Sequence, residues 1–267
     1  MTELAAGDLL YERRGAQGEI GWLTFNRPQR RNAITFAMYD ALRQLAQEAG
    51  HDRSLRVLVL SGAGGKAFAA GTDMSQFHKF TTAADALAYE ERIESVLTAV
   101  ESIPIPTVAA IQGACTGGGA ALALACDLRL GSPSTRLGVP IARTLGNTLS
   151  MGNFVRLVSM LGVARTKHLL LTAQLLDAQQ CLQAGLLSEV TADEPALLPR
   201  AEELAATLAG HAPITMRTTK LALRRITAEL MPAEGGSDLV VEAYLSSDFK
   251  EGLEAFFAKR PARWRGV

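Results

Sequence analysis

The hydrophobic pattern begins with a short strand that is followed by an amphipathic helix. Residues 19–25 alternate loosely between apolar and polar side chains and precede residues 26–28, an Asn-Arg-Pro turn. Apolar residues then recur at helical spacing over residues 38–49, with Thr35 in the N-cap position and Gly50 as the stop signal. The first 50 residues therefore predict a strand, a turn and a helix in succession.

Two further strands follow, and each runs into a glycine-rich loop. Residues 57–60 are continuously apolar, which is typical of a strand buried on both faces, and residues 61–65 form a glycine loop after it. Residues 83–101 predict an amphipathic helix. A third strand at residues 107–111 leads into the glycines and the small-residue helix of residues 113–126. Strands that alternate with helices in this way predict a layered α/β architecture.

The second half of the chain is predicted to be mainly helical. A loop-rich region follows residue 131, and a helix is predicted at about residues 154–161. From about residue 177 onwards the predicted helices are residues 178–184, 194–209, 214–230 and 239–258. Residues 231–237 are the clearest flexible break, so the last 30 residues are expected to fold back or to reach a neighbouring subunit.

The composition is that of a compact globular protein. The chain has 267 residues, of which 48% are hydrophobic, and its 27 Lys and Arg balance 27 Asp and Glu. A neutral chain lacks the basic excess that nucleic-acid binding requires. No apolar run reaches the roughly 18 residues that span a bilayer, and the N-terminus has no signal-peptide pattern. We therefore expect a cytoplasmic protein that binds neither nucleic acid nor membrane.

The few cysteines and histidines do not predict metal chemistry. The three cysteines form no C-x-x-C pair, so buried free thiols in a reducing compartment are expected. The four histidines are scattered and form no H-E-x-x-H motif. We predict no metal site.

The first glycine loop follows a strand, which is a common place for ligand binding in α/β proteins, so two nucleotide-binding motifs are relevant to it. Residues 62–67 match G-x-G-x-x-A, but residues 68–73 interrupt the long helix that a dinucleotide site needs. A phosphate loop would need a glycine in place of Leu60 and a hydroxyl in place of Ala67. Neither nucleotide motif fits.

The second glycine loop places three glycines, residues 117–119, where a strand turns directly into a helix. Amides in the first turn of a helix have no intrahelical partner and lie at the positive end of the helix dipole. They can therefore bind an oxygen that carries negative charge. A tight turn for close helix packing is the alternative explanation for these glycines.

Four segments, taken in order, resemble the motifs of the enoyl-CoA hydratase/isomerase (crotonase) family. They are residues 26–33 with Asn26-Arg27-Pro28 and Asn32-Ala33, residues 66–74, residues 113–127, and residues 247–261. The four motifs occur in the family's order and cover nearly the whole chain. The chain is therefore identified as a member of this family.

The resemblance implies a crotonase-type α/β fold in which repeated ββα turns form a superhelix. Residues 1–195 would form this core with its acyl-CoA pocket, and residues 196–267 would form a C-terminal helical trimerisation region. The implied assembly is a homotrimer or a dimer of trimers. The implied substrates are acyl-CoA thioesters, so coenzyme A enters as part of the substrate and no cofactor is bound permanently.

The resemblance also implies which residues contact the thioester. The peptide N–H groups of Thr72 and Gly118 would form an oxyanion hole that stabilises an enolate. The implied coenzyme A contacts are Arg30 or Arg31, Lys66, Ala70, Asp73, Met74, Ser75 and, from a neighbouring subunit, Phe257 and Lys259. A solvated surface charge is the alternative for each basic residue, and the motif context argues against it only for Lys66.

The sequence departs from the family at the two glutamates that a hydratase uses. Those positions hold Ala121 and Ile141, and residues 128–176 contain no Asp or Glu at all. General acid–base catalysis needs a titratable group within hydrogen-bond reach of the reacting atoms. We therefore expect hydration of 2-enoyl-CoA to be weak or absent.

Other polar residues are candidates for the missing chemistry. Arg143 and Asn147 lie in a polar stretch and could face a polar or anionic acyl group, with loop capping as the alternative explanation. His78 is a weaker general-base candidate. The leading hypothesis is a hydratase/isomerase-type acyl-CoA enzyme. The alternatives are a thioester hydrolase or decarboxylase that uses Arg143 or Asn147, and a non-catalytic acyl-CoA-binding homologue.

Overall fold

The computed structural model describes residues 1–79 and 82–267, with the backbone alone for residues 78 and 79. Within these residues the strands β1 to β11 are Thr2–Leu4, Leu9–Arg14, Ile20–Phe25, Val57–Gly62, Ala67–Ala69, Thr107–Ile111, Ala114–Thr116, Leu128–Gly131, Arg136–Gly138, Leu176–Asp177 and Glu189–Val190. The helices α1 to α10 are Phe36–His51, Ala83–Ser102, Gly118–Ala125, Ile141–Thr144, Met151–Thr172, Ala178–Gln183, Leu197–Ala209, Pro213–Ala228, Ser237–Leu245 and Ser247–Phe257. Short 3₁₀ turns occur at Ala5–Gly7, Pro28–Arg30 and Met74–Lys79.

The strands form two sheets that are built by the same repeated unit. The larger sheet has the order β1-β2-β3-β4-β6-β8-β11, and the smaller has the order β10-β9-β7-β5. Strands β4, β6 and β8 are parallel neighbours in the larger sheet, while β5, β7 and β9, which follow them in the chain, are parallel neighbours in the smaller one. A helix follows each such pair. This repeat confirms the predicted crotonase-type ββα architecture.

The main core lies between the sheets and the helices that follow the strands. Helix α1 begins where the side chain of Thr35 accepts a hydrogen bond from the Met38 amide at 3.3 Å, as the N-cap prediction requires. It buries Met38, Tyr39 and Leu42 against this core. Helix α3 is buried along nearly its whole length, which explains why it contains only Gly, Ala and Leu.

The outer face of the larger sheet is covered by α7. Leu197, Ala201 and Ala205 of this helix pack against Trp22 and Val108 of the sheet in a separate buried cluster. The face would otherwise expose large apolar side chains to water, and their burial on α7 stabilises the sheet. The division of the chain at residue 195 stays a prediction.

The last two helices pack against their own chain. Helix α9 packs along α2, and α10 follows it after a bend at Ser246. The C-terminal tail then runs back along α10, where the Asp248 carboxylate accepts hydrogen bonds from the amides of Arg265 and Gly266 at 2.7 and 2.9 Å. The fold-back alternative for the last 30 residues is therefore present within one chain.

Helix α8 differs from the other long helices because it has no buried residue. Its apolar side chains include Ile214, Leu223 and Ile226, which are 71%, 59% and 66% exposed. Lys220 fastens the helix to the core by donating to Asp127 and to the carbonyl of Ile105 at 2.5 and 2.8 Å. Leu223 and Ile226, three positions apart, form an apolar side of the helix that is exposed to solvent.

Two predicted helices have the wrong extent. The helix expected at residues 154–161 runs over Met151–Thr172, with Gly162 in a left-handed conformation in its middle. The single helix expected at residues 239–258 is two helices, because extended backbone at Ser246 breaks it. The Ser246 hydroxyl accepts from the Phe249 amide at 3.1 Å and so starts α10 as an N-cap. Of the eleven described strands, the hydrophobic pattern predicted β3, β4 and β6, and the other eight, most of them two to four residues long, were not predicted.

Candidate active site

The two glycine loops lie side by side at the ends of β5 and β7. Gly71 and Gly117 have φ angles of +97° and +53°, which glycine adopts readily and other residues rarely do. A Cβ added to Gly117 would lie 3.5 Å from the Cα of Gly71, and one added to Gly71 would lie 4.0 Å from the nitrogen of Gly118. The two turns are therefore in van der Waals contact, and the positive φ angles favour glycine at both positions.

The amides of Thr72 and Gly118 are neighbours in this arrangement. A Cβ added to Gly118 would lie 3.5 Å from the Thr72 nitrogen. Covalent geometry then puts the two amide nitrogens within about 6 Å of each other. Two donors that bond the same oxygen at about 2.9 Å each cannot be farther apart than about 6 Å. The spacing permits a shared oxygen acceptor.

Neither amide has a protein acceptor among the residues that the structure describes. Gly118 is the first residue of α3, so its N–H has no intrahelical partner. Ile34 donates to the carbonyl of Gly71 at 2.9 Å and accepts from the amide of Asp73 at 2.8 Å. In such a parallel bridge the N–H of the residue in between, Thr72, faces away from Ile34.

A chain of three hydroxyls runs beside these amides. The Thr72 Oγ1 lies 3.0 Å from the Tyr39 hydroxyl and 2.9 Å from the Tyr89 hydroxyl. A Cβ added to Gly118 would overlap the Tyr39 hydroxyl, so this position also requires glycine. Burial raises the pKa of both tyrosines, which keeps their hydroxyls protonated at neutral pH. The sequence analysis missed both hydroxyls, because a tyrosine on an apolar helix face is usually a core residue.

The two positions at which the resemblance implies glutamates in a hydratase hold apolar side chains that are buried or partly buried. Ala121 lies in the first turn of α3 and is 6% exposed, and its amide donates to the Gly117 carbonyl at 3.0 Å. Ile141 begins α4 and packs in part against the main core. Neither side chain can exchange a proton.

The segments predicted to hold coenzyme A are brought together. Gly64 packs against Pro28, and the Ala70 amide donates to the carbonyl of Arg31 at 3.0 Å. The loop that carries Lys66 therefore lies against the turn that carries Arg30. Both basic side chains are exposed, as phosphate-binding side chains at a pocket entrance would be.

Asp73 and Ser75 form a local hydrogen-bonded turn rather than free side chains. The Asp73 carboxylate accepts from the amide and the hydroxyl of Ser75 at 3.1 and 2.8 Å and forms an ion pair with Arg27 at 2.9 Å. Burial alone would raise the pKa of Asp73, but the bonds from Arg27 and Ser75 outweigh it and lower the pKa. Met74 is partly buried beside the Phe77 cluster.

Arg27 is a further residue that the sequence analysis did not single out. It also lies 3.2 Å from Asp8 and donates to the carbonyl of Ala33 at 2.6 Å. Its guanidinium therefore ties the N-terminal segment to the first glycine loop through Asp73. Its position in the first family motif is the feature of the sequence that could have identified it.

Three other predicted residues lie on the surface of the single chain. Phe257 is the last residue of α10 and is 43% exposed, Lys259 is exposed just beyond it, and Arg143 is exposed on α4. The side chain of His78 lies outside the described part of the structure. The predicted roles of these four residues stay predictions.

Asn147 is a member of a buried polar cluster instead of a free pocket side chain. Its Nδ2 donates to the Tyr244 hydroxyl at 2.8 Å and to the Thr148 carbonyl at 3.2 Å. The Tyr244 hydroxyl in turn donates to Glu90 Oε1 at 2.6 Å. Glu90 on α2 is only 9% exposed. The sequence analysis missed Glu90 because the acids of α2 were assigned to the polar face of an amphipathic helix.

The pKa of Glu90 is raised to about 7. Burial is the main cause, and the negative charge of Glu94 adds to it, while the hydrogen bond from Tyr244 acts in the opposite direction. Glu94 itself has a different environment, since Arg156 on α5 binds both Glu94 and Glu101 at 2.6 and 2.7 Å. Burial would raise the pKa of Glu94, but the bonds from Arg156 lower it.

The remaining titratable groups give no metal-binding arrangement. In the part of the chain that the structure describes, no three His, Cys, Asp or Glu side chains are grouped closely enough to hold an ion. The cysteines Cys115, Cys126 and Cys181 are buried free thiols, as predicted. Likewise, none of the described helices combines the length and the apolar character needed to cross a membrane.

Comparison with known proteins agrees with this fold and with the order of the motifs. The model of the enoyl-CoA hydratase/isomerase family matches residues 15–267. The Bacillus subtilis protein YngF is 33% identical over 247 residues, which cover 92% of this chain and 94% of YngF. The short-chain-enoyl-CoA hydratase of Clostridium acetobutylicum is 30% identical over 247 residues, covering 91% and 93%.

A solved structure is similar over the same extent. The enoyl-CoA hydratase/carnithine racemase from Magnetospirillum magneticum superimposes with a TM-score of 0.78 and 31% identity, covering 97% of this chain and 96% of that one. Sequence, motif order and fold thus agree along nearly the full length. This chain belongs to the enoyl-CoA hydratase/isomerase family.

Proposed function

We propose that this chain, an acyl-CoA enzyme of the enoyl-CoA hydratase/isomerase family, stabilises a thioester enolate between the amides of Thr72 and Gly118. The observation that carries this proposal is the closeness of these two amides, which have no acceptor among the described residues. When a proton leaves the α-carbon of a thioester, negative charge develops on the carbonyl oxygen. Fixed N–H donors stabilise that charge, and losing one such donor typically costs about 3 to 4 kcal/mol.

We infer that ordinary hydration is not the main reaction. Addition of water across a 2-enoyl double bond needs one group that activates water and a proton donor for the α-carbon. Ala121 and Ile141 stand at the two positions that supply these groups in the family, and neither can do so. Hydration of crotonyl-CoA should therefore be slow compared with the usual turnover range of enzymes, about 1 to 1000 per second.

The proposal is tested by exchange of the α-hydrogen of acyl-CoA thioesters in D₂O, followed by mass spectrometry. The wild-type protein should catalyse the exchange. Gly118→Ala puts a methyl group where the Tyr39 hydroxyl lies, which displaces the groups beside the two amides and should slow the exchange about 100-fold or more. Gly210→Ala is the matched control, because its Cβ would lie no closer than 3.4 Å to another group and the helix end there tolerates it.

Two results would count against the proposal. One is tight binding of the thioesters with no exchange by the wild-type protein, which would favour a non-catalytic acyl-CoA-binding protein. The other is an unchanged exchange rate in Gly118→Ala.

We also propose that the chain assembles as a homotrimer or a dimer of trimers through its C-terminal helices. The support is the exposed apolar side of α8. Exposed apolar patches of this kind mark interaction sites in soluble proteins. Phe257 and Lys259, which are exposed on the single chain, would then be available to contact coenzyme A on a neighbouring subunit.

A further inference from the structure

We propose that Glu90 is the proton-transfer group of this site and that it moves a double bond by taking one proton from the substrate and returning it at another carbon. The inference rests on the proposed enolate site. It assigns a role to the buried carboxyl of α2, which is the one acid that the described contacts connect to both sides of that site.

The first connection runs to the oxyanion amides. Tyr89, the residue before Glu90, bonds through its hydroxyl to Thr72 Oγ1 at 2.9 Å. The charge of Glu90 also acts on Tyr39, whose pKa is raised by burial first and by Glu90 second. The Tyr39 hydroxyl bonds to Thr72 and occupies the position that a Cβ of Gly118 would need. Helix α2 therefore places Glu90 next in sequence to a member of the Tyr39–Thr72–Tyr89 hydroxyl chain and within electrostatic reach of Tyr39.

The second connection runs to the segment after α4. Glu90 accepts a hydrogen bond from the Ser150 amide and one from the Tyr244 hydroxyl, the latter at 2.6 Å. Asn147 in turn donates to that hydroxyl at 2.8 Å. This segment follows Ile141, which stands where the family has its second glutamate. The carboxyl thus lies between the oxyanion loop and the segment that usually carries the acid–base group.

The carboxyl of Glu90 has no neutralising partner among the described side chains, in which no Lys or Arg lies within 4.0 Å of it. Glu94, one turn further along α2, is instead held as a carboxylate by Arg156 at 2.6 Å. The titratable groups that face Glu90 are Tyr39 of α1, Tyr89 and Glu94 of α2, and Tyr244 of α9. The three tyrosines stay neutral, so Glu90 titrates with only a shielded like charge nearby.

Glu90 is suited to accept and return a proton at neutral pH. Burial raises its pKa to about 7, so its acid and carboxylate forms are both populated there. A general base works best when its pKa is close to the working pH. Its hydrogen bonds from Tyr244 and from the Ser150 amide fix the orientation of the carboxyl.

The reaction that one such group can complete is a 1,3-shift of a proton in a 3-enoyl thioester. The Glu90 carboxylate takes a proton from the α-carbon, so that a C–H bond breaks and an O–H bond forms on Glu90. The electron pair moves into a conjugated enolate, whose oxygen is held by the Thr72 and Gly118 amides. The Glu90 O–H then breaks and its proton forms a new C–H bond at the γ-carbon. The product is the 2-enoyl thioester, and the carboxylate is restored without water or any other co-reactant.

The test compares Glu90→Gln with Glu94→Gln. Glutamine keeps an oxygen that accepts from Tyr244, so Glu90→Gln removes the titrating group while retaining that hydrogen bond. Glu94→Gln changes the neighbouring acid of the same helix and leaves Arg156 paired with Glu101. The probe is 3-hexenoyl-CoA, whose conversion to the conjugated 2-hexenoyl-CoA is followed by absorbance across a range of pH.

We expect the wild-type rate to fall as the pH decreases below about 7, because the base becomes protonated. Glu90→Gln should lose about 100-fold or more in kcat with a KM within about threefold of the wild-type value, whereas Glu94→Gln should stay within about threefold in both. In Tyr244→Phe the acid limb should move to higher pH, because the bond that stabilises the carboxylate is gone. If Glu90 had a purely structural role, Tyr244→Phe would not shift the acid side of the pH–rate profile.

The outcomes separate the two proposals. If Glu90→Gln retains the wild-type rate and pH profile, Glu90 is not the base, and the enolate proposal stands on the exchange measurement with Gly118→Ala. If the wild-type protein binds 3-hexenoyl-CoA but neither converts it nor exchanges its α-hydrogens, the enolate proposal fails and the role of Glu90 fails with it. If it exchanges the α-hydrogens without forming the conjugated product, the double-bond shift is wrong.

Discussion

At the scale of single residues, the site depends on close approach of backbone atoms to side-chain hydroxyls. Gly118 has no room for a Cβ because the Tyr39 hydroxyl lies there, held by Thr72 Oγ1 at 3.0 Å. The same hydroxyl oxygen of Thr72 is shared with Tyr89. Thr72, a proposed oxyanion donor, is thus held from two helices, α1 and α2, through its hydroxyl.

A double-mutant cycle tests this contact between Gly118 and Tyr39. Gly118→Ala alone should destabilise the protein by about 1 to 3 kcal/mol, because the new methyl group overlaps the Tyr39 hydroxyl. In the Tyr39→Phe background the cost should be smaller, since the hydroxyl oxygen is absent. The measurement is urea unfolding of the four proteins. Strictly additive costs would show that the two groups are not in contact.

A second residue-scale prediction concerns Lys66, at the entrance of the proposed coenzyme A site. Lys66→Ala should weaken binding of acyl-CoA thioesters about fivefold at low salt, with a smaller effect at high salt, because an exposed cation contributes roughly 1 kcal/mol and is screened. Lys167→Ala, which removes an exposed lysine of α5, is the control. Calorimetric titration gives the affinities. Equal effects of the two substitutions would leave Lys66 without a role in binding.

At the scale of elements, α2 carries two acids in opposite environments within one turn. Arg156 ties Glu94 to α5, whereas Glu90 is buried against hydroxyl and amide groups. Arg156 lowers the pKa of Glu94, so this pair adds stability above the ordinary glutamate pKa and loses it as the pH falls through the lower folded value. For Glu90 the pH dependence of the stability contribution is the opposite, because the pKa of Glu90 is raised.

The raised pKa of Glu90 predicts a pH-dependent effect of Glu90→Gln on stability. The folded protein favours the protonated carboxyl, so this group contributes stability below pH 4.5 that is lost as the pH rises to about 7. Glu90→Gln avoids the ionised form and should therefore be more stable than wild type by about 1 to 3 kcal/mol at pH 8, with little difference at pH 4. Unfolding in urea at the two pH values measures this. An equal effect at both would mean that Glu90 titrates normally.

At the scale of the whole molecule, the pattern of apolar residues predicted β3, α1, β4, α2, β6 and α3 in their correct order, because glycine or proline residues separate these apolar segments. Elements that form only through contacts with other parts of the folded chain could not be predicted in this way. Ser246 looks like one polar residue inside a helix, and only its bond to the Phe249 amide reveals a helix start. Strand β11 has two residues and exists because β8 pairs with it.

The residues of the candidate site could likewise be predicted only in part. The family resemblance implied Thr72 and Gly118, because both residues lie in motifs that can be recognised in the sequence. Glu90 and Tyr244 could not be paired from the sequence, since they are 154 positions apart and meet only when α9 folds onto α2. Acids on an amphipathic helix are usually solvated, so burial of Glu90 had no local signal.

The exposed face of α8 gives a prediction for the assembly. Leu223→Glu together with Ile226→Glu should convert the proposed trimer into monomers, because two charges would be buried unpaired in the interface. Light scattering at matched concentration measures the mass. Arg217→Glu, an exposed change on the same helix, is the control. A wild-type protein that is monomeric throughout would contradict the proposed assembly.

A crystal structure with a non-hydrolysable acyl-CoA analogue tests the central claim most directly. The account predicts that the acyl carbonyl oxygen lies about 3 Å from the amide nitrogens of both Thr72 and Gly118. A carbonyl oxygen bound elsewhere, with those two nitrogens unoccupied or turned away from the ligand, would contradict it.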